Sequence, residues 1–281
     1  MGIQKLHSFM QNNCQECIHE VHIKMLRNAR VAIDVSMFLY KFKQNGNLIR
    51  NMFALCSLLR TYNIHPIFVF DGKPSDEKLK CIEKRRFTKL EMLKKMEELE
   101  QMDDDPSRTE QIAYYKKQSM FITKDDIVKV RILLELYGMT WVRSNEEADS
   151  YISYLSLYNH VDYVISDDTD MFAYGCMHVL RNFDLVSQTM LYYNTQEILD
   201  TLSLTMEEFQ NLCSKSKNDY IYHKKIKYFA DNYSIYQDKK QLPHIQTKPF
   251  FHIKKSDIDD IPNILNKTYD KNELLEFIKA N

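Results

Sequence analysis

Four short apolar runs in this chain each hand over to acid. "VAI" (31–33) meets Asp34, and "PIFVF" (66–70) meets Asp71. "MTWV" (139–142) is followed across a short loop by Glu146, Glu147 and Asp149, and "YVI" (163–165) leads into Asp167, Asp168 and Asp170. Runs so short and so apolar mark parallel strands buried on both faces. Between them, "SMFLYKF", "IRNMFALCSLLRTY", "ITKDDIVKVRILLELYG" and "EEADSYISYLSLYN" carry apolar residues at helical spacing. Thr123 is placed to cap the third of these, with Asp126 at its third position and Gly138 as a left-handed stop. Strands alternating with helices predict a doubly wound, mainly parallel α/β sheet, whose ligands bind outside the carboxyl ends of the strands. The acids therefore converge in one crevice.

Several carboxylates in a partly buried crevice cannot all stay ionised without counter-charge. A hard divalent cation with oxygen ligands supplies it, and Mg²⁺ suits a site offering a few carboxylates. Two such ions would activate a water and steady the leaving oxygen in phosphodiester cleavage. A single strand-end acid is usually a helix cap; four strand ends behaving alike point to metal. Residues two apart share a face in extended backbone. Glu147 with Asp149 and Asp168 with Asp170 are thus expected to face inward, and Glu146 and Asp167 elsewhere.

Composition excludes other chemistries. The five glycines (2, 46, 72, 138, 175) permit neither a GxGxxG nor a GxxxxGK[ST] loop, so dinucleotide-fold and P-loop readings fail. Lys+Arg (38) balances Asp+Glu (39), so nucleic-acid affinity must come from local segregation of charge. No apolar run approaches the roughly 20 residues of a membrane span, and no signal-peptide pattern opens the chain. An intracellular, soluble protein with reduced cysteines is expected, with no membrane partner. In "CQECIHEVH" one residue separates the Cys pair from the first His, far from zinc-finger spacing, and the stretch reads as a helix with incidental Cys and His.

Residues 75–120 are highly charged and helix-prone, interrupted at Asp103–Pro106, and read as two helices projecting from the sheet. "NTQEILDTLSLTMEEFQNLC" (194–213) reads as two short helices. From Ser214 to Lys255, ten lysines face three aspartates with tyrosines and phenylalanines interleaved, a pattern that suits phosphate backbones or a loosely packed surface. The chain ends in one amphipathic helix.

"MGIQKL", "VAIDVSMFLY", "FVFDGKPSDEK", "EEADSY" and "VISDDTDMFAYG" occur in the order found in structure-specific 5′ nucleases. Over residues 1–213 the chain resembles the flap endonuclease (XPG-type) family. The resemblance implies a PIN-like nuclease core at 1–213 with a helical arch at 75–120. Residues 214–281 form a divergent basic and aromatic region in place of the usual helix–two-turn–helix. It implies two Mg²⁺, with Mn²⁺ as a substitute, and cleavage of branched 5′-flap DNA at single-strand/double-strand junctions in replication, repair or recombination. Asp34, Asp71, Glu147, Asp149, Asp168 and Asp170 take the metal-ligand positions. Gly2 lies beside the site in relatives, Tyr40 stands where a base is stacked, and Lys78 and Arg85 take the positions of the basic pair that contacts the scissile phosphate. Lys84 and Lys89 extend that nucleic-acid face; the seven-residue step from Lys78 to Arg85 puts both on nearly one side of a helix.

The chain departs from the family after "LC". The text "LCSKSKNDYIYHKKIKYF" keeps Asp219 before Tyr220, a candidate seventh ligand, but lacks the glycine hairpin that grips duplex DNA. No consensus sliding-clamp motif is seen. Low glycine with abundant Lys, Asn, Tyr and Ile fits an AT-rich genome, and a viral or protist source is expected, acting in a nucleus or at a cytoplasmic viral replication site. The alternatives to DNA cleavage are a related nuclease acting on RNA and a catalytically impaired nucleic-acid-binding module.

Overall fold

A computed structural model describes residues 2–101, 106–220, 226–239 and 270–281. Asp103–Asp105 and most of the basic, aromatic stretch beyond Tyr220 lie outside these residues. The four apolar runs form four adjacent parallel strands at one side of a seven-stranded sheet. These strands are β2 (Arg30–Asp34), β3 (His65–Phe70), β4 (Thr140–Arg143) and β5 (Tyr163–Ile165), in the spatial order β5-β2-β3-β4, with β4 at the edge of the sheet. Alternation explains their unbroken hydrophobicity. Ala32, Ile67, Val69 and Val164 enter the core on one face, and Val31, Ile33, Phe68, Phe70 and Ile165 the core on the other.

Three further strands were not legible in the sequence. β6 (His178–Asp184) lies parallel to β5, β7 (Thr189–Asn194) returns antiparallel to it, and β1 (Ile18–His22) closes that edge antiparallel to β7. Arg181 and Asn182 interrupt the apolar pattern of β6. Asn182 takes a left-handed φ of 55°, and the pairing with β7 is irregular there. β1 corrects the reading of "CQECIHEVH" as a helix: a 3-10 turn (Gln15–Cys17) leads into an edge strand with His19 and Glu20 exposed. Cys14 and Cys17 are buried core residues, and burial pushes the Cys14 thiol up to about 12.

Helices cover both faces. α2 (Val35–Gln44), α3 (Leu48–Thr61) and α6 (Lys124–Leu136) pack on one, and α6 opens with the reciprocal Thr123–Asp126 capping box. α1 (Leu6–Asn13), α7 (Ala148–Leu157), α8 (Asp170–Tyr174), α9 (Thr195–Leu202) and α10 (Met206–Lys215) pack on the other. Beyond residue 213 the chain still joins the core. α11 (Phe229–Lys239) sets Phe229 against Phe9 and Phe209, and α12 (Lys271–Ala280) buries Leu274 in the α6 side. α4 (Asp76–Glu100) and α5 (Pro106–Gln118) form the projecting pair. Leu79, Ile82, Phe87 and Leu90 stay exposed on α4, as befits a helix with core on neither side of most of its length. Among the described residues no helix is long and apolar enough to cross a membrane.

Candidate active site

The carboxyl ends of β2, β3 and β5 and the loop after β4 open onto one crevice. Asp34 ends β2 and caps α2, accepting from Ser36 N at 2.9 Å with one oxygen and from Ser166 Oγ at 3.1 Å with the other. Ser166 Oγ also accepts from Asp168 N (3.1 Å), so one hydroxyl sets the first and fourth strand ends in register. Asp168 Oδ1 accepts from Asp170 N at 3.0 Å.

The β3 and β4 ends are joined through Gly72. Its N–H donates to Glu146 O at 2.7 Å, and a Cβ there would stand 2.0 Å from Ser144 O. Only glycine lets the two loops lie this close. Their approach brings Asp71 to the start of α7, where Oδ1 accepts from Ala148 N (3.0 Å) and Oδ2 from Ser36 Oγ (2.5 Å). Glu147 is the N-cap of α7 and Asp149 lies in its first turn.

Asp149, Asp168 and Asp170 form the centre of the cluster, with one oxygen from each within 4.8 Å of the others. Both Asp170 oxygens are buried without a hydrogen-bond partner. Burial, then the neighbouring Asp168, pushes the Asp149 and Asp170 carboxyls well above the usual carboxylate range. Asp34 is raised to about 7 by burial and by Asp71 and Asp168. The orphaned oxygens and the all-oxygen donor set fit a hard divalent ion. Glu146 is exposed. Asp167 accepts from Asn182 N of β6 at 2.7 Å through Oδ1, yet it lines the same cavity as Asp34, Asp71, Asp149 and Asp168, so it is not turned away as the sequence spacing suggested.

Two cations of α4 already neutralise the flanks. Lys78 Nζ donates to Glu147 Oε2 at 2.7 Å and lies 3.6 Å from Asp149 Oδ2. Burial opposes its charge, but Asp149 and Glu147 outweigh it, and the Lys78 pKa is raised. A terminal nitrogen of Arg85 donates to both oxygens of Asp219 at 2.7 Å. Burial opposes ionisation of Asp219, yet Arg85 holds its carboxyl below the usual range.

The amino-terminal segment seals the remaining side. Gly2 N donates to Asp219 Oδ2 at 3.1 Å, and a Cβ on Gly2 would stand 2.1 Å from Asp168 Oδ1 and 2.5 Å from Asp170 Oδ1. Gly2 also holds a φ of 78°, so two independent constraints demand glycine. A cavity of about 1720 Å³ extends from Asp34, Asp71, Asp149 and Asp168 between α2, α4 and α6. Tyr40, Arg85, Arg86 and Lys89 line it, and Lys89 Nζ sits 4.3 Å over the Tyr40 ring. Lys84 is exposed on α4 and is not part of that lining.

Sequence reasoning missed the polar residues that hold the acids. Tyr220 Oη donates to Glu147 Oε2 at 3.0 Å while its ring carries Lys78 Nζ at 5.3 Å. Its only signal was adjacency to Asp219. Ser36 and Ser166 each stand two residues from an acid, where a short hydroxyl bonds local backbone or carboxylate. Arg181, buried in β6 beneath Asp167, donates to the Asp167 carbonyl and had no signal.

The XPG N-terminal domain matches residues 1–92, and the XPG I-region matches 138–219. The chain belongs to the XPG-type flap endonuclease family. It is 28% identical over 237 residues to flap endonuclease 1 of Enterocytozoon bieneusi, covering 78% of this chain and 65% of that protein. It is 26% identical to a probable RAD2-like endonuclease of invertebrate iridescent virus 3, covering 91% and 86%. The catalytic core of Rad2 in complex with DNA substrate superposes with a TM-score of 0.61 at 24% identity, covering 83% and 68%, and shares the PIN-like fold. This family member spans only 35–65% of the length of the first flap endonucleases it matches. The family matches skip residues 93–137, most of the projecting pair, and stop at Asp219.

Proposed function

We propose that this chain is a divalent-metal-dependent, structure-specific 5′ nuclease that cuts phosphodiester bonds in branched DNA at the foot of a 5′ single-stranded arm. One observation carries the reading: Asp149, Asp168 and Asp170 are gathered around buried, unpartnered oxygens at the carboxyl end of the sheet. Asp34, Asp71, Glu147, Asp149, Asp168 and Asp170 would hold the metal, taken as two Mg²⁺, with Asp219 at the periphery. When bound, the ions supply a hydroxide at neutral pH and charge stabilisation of the leaving oxygen.

The protein's own groups do the rest. Lys78 and Arg85 sit on one face of α4 beside the acids, and each exchanges its carboxylate for the scissile phosphate when substrate enters. Positive charge there stabilises the developing phosphorane. Tyr40 offers a ring 38% exposed at the cavity edge for a terminal base to stack on. Ser36, Ser166 and Tyr220 keep the carboxylates oriented. The cavity under α4 takes the unpaired arm, whose phosphates meet Arg86 and Lys89. The protein acts where DNA is replicated or repaired, in a nucleus or a viral replication compartment.

The test is a panel of labelled 5′-flap DNA, blunt duplex and single-stranded RNA, each with Mg²⁺ or EDTA. Flap DNA cut near its junction in Mg²⁺ only is the expected result. Preferential cleavage of RNA, or flap binding without cleavage, refutes the reading.

A further inference from the structure

The turn that carries Asp168 and Asp170 hangs from three successive residues of β6. Ser166 N donates to Leu180 O at 3.1 Å, Arg181 Nη2 donates to Asp167 O, and Asn182 N donates to Asp167 Oδ1 at 2.7 Å. Asp167 thus lines the cavity with its carbonyl and one carboxylate oxygen already engaged. On the other side of the turn, Thr169 Oγ1 donates to Ile3 O at 3.2 Å. Of the three contacts from β6, only that of Arg181 is made by a side chain.

Arg181 is an expensive residue to place there. It is only 5% exposed, and its Nε and Nη1 have no hydrogen-bond partner among the described residues. Among those residues it ion-pairs with no carboxylate. Burial opposes its charge, and Asp167, Tyr193 and Asp168 offset this only in part, so its pKa stays below the ordinary arginine value. A hydrocarbon side chain of similar length would fill the space without an unpaired buried charge. What it could not do is hold the Asp167 carbonyl. The guanidinium carbon also lies 5.8 Å from the ring centroid of Phe172 and 5.9 Å from that of Tyr193. Asp167 and Phe172 bracket Asp168 and Asp170 in the chain, so one side chain engages both ends of the segment that carries them.

We propose that Arg181 is a positioning residue, which from beneath Asp167 fixes the 167–172 segment so that Asp168 and Asp170 are aimed at the metal position before metal arrives. This rests on the function proposed above and gives a role to a residue outside the ligand set. Charge and clamp have opposite signs here. A cation near the acids repels an incoming divalent ion, so if Arg181 acted by charge alone its removal would tighten metal binding. A clamp that orients the ligands strengthens binding, and losing such a supporting contact costs about tenfold to 100-fold in metal affinity.

The test is titration of the full chain, free of DNA, with Mn²⁺, the free ion being followed by electron paramagnetic resonance, beside thermal melting without metal. Arg181→Met is expected to melt at the wild-type temperature or above it, because it removes buried nitrogens that have no partner. It should bind Mn²⁺ at least about tenfold more weakly. Arg181→Lys keeps a donor on a slightly shorter stem and recovers most of that loss. Should the methionine variant melt early, Arg181→Gln, whose amide ends well short of the Nη2 position, is titrated in its place and shows the same loss. Mn²⁺ affinity that is unchanged or tighter in a folded methionine or glutamine variant overturns the proposal, as does a lysine variant no better than methionine. Wild-type protein that binds no Mn²⁺ overturns both this role and the metal-dependent function. Wild-type protein that binds Mn²⁺ with the expected dependence on Arg181, but cuts no DNA, overturns the proposed function and leaves the role of Arg181 standing.

Discussion

The acids of this crevice come in two electrostatic kinds. Glu147 and Asp219 are already matched, one by Lys78 and the other by Arg85. Asp170, a few ångströms inward, has no partner at either oxygen, and Asp149 is shared only at 3.6 Å with Lys78. Residues of the same chemical class, gathered in one crevice, thus differ in whether the fold itself supplies the counter-charge. The cations that match the rim come from α4, a helix that projects from the sheet. The unmatched centre is built from the sheet ends and the amino terminus, so its charge is met only by something added.

The comparison breaks most sharply at the centre. Asp168→Asn keeps shape and removes one charge, and is expected to lower cleavage on the order of 1000-fold or more while sparing DNA binding. Retained single-turnover cleavage would remove Asp168 from the metal set. At the rim, Lys78→Ala strands Glu147 in a buried setting, and thermal unfolding without metal should show a loss of about 3 kcal/mol. Arg85→Ala should cost less, about 2 kcal/mol, because Asp219, though only 4% exposed, keeps the Gly2 N–H, and water reaches the 39%-exposed Arg85 end of the pair. Both variants slow single-turnover cleavage by about 100-fold. Equal stability losses would mean that the two ion pairs are equally shielded.

Asp170→Asn is expected to do the opposite of a rim variant. Without metal it raises stability by roughly 1–2 kcal/mol, because it deletes a buried, unmatched charge. Mg²⁺ then raises the melting temperature of wild type but not of the variant. The pH dependence has a definite sign. Asp34, Asp149 and Asp170 carry raised folded-state pKa values, so their contribution is present below the unfolded carboxylate range. It is lost as pH rises through the folded values, about 7 for Asp34. Metal-free wild type should therefore melt lower at pH 8 than at pH 6, and Asp170→Asn should flatten that fall.

The smallest effect lies outside the crevice. The hydrogen bond from Arg30 holds the exposed Asp162 carboxyl below its usual range. Its contribution is present above the unfolded pKa and lost as pH falls, the reverse of the crevice acids. Asp162→Asn should trim acid-range stability slightly and leave cleavage unchanged; a changed cleavage rate would break the separation between surface and site.

How much was legible follows the same division. β2, β3 and β5 announced themselves because both their faces are largely buried, which leaves no polar residue to blur the run, and the edge strand β4 did so through its apolar Met139–Val142 run. β1 and β6 did not, since exposed His19 and Glu20 interrupt β1, and Arg181 and Asn182 sit in the middle of β6. The carboxylates were readable because strand ends in a parallel sheet must share one side of the molecule. Ser166, Tyr220 and Arg181 were not, because their chemistry is ordinary until a partner from elsewhere in the chain stands beside them.

Sequence alone therefore determined the parallel strands, the projecting helices and the end of the sheet at which the acids gather, all consequences of short-range periodicity and chain direction. Only the tertiary structure decided that Lys78 and Arg85 rest on Glu147 and Asp219, that Gly2 is pressed against Asp168 and Asp170, and that Lys5 and Lys217 meet over the Tyr228 ring. Those pairings join residues up to 223 positions apart. The energy of such a contact depends on distance and burial in space, which no local pattern encodes.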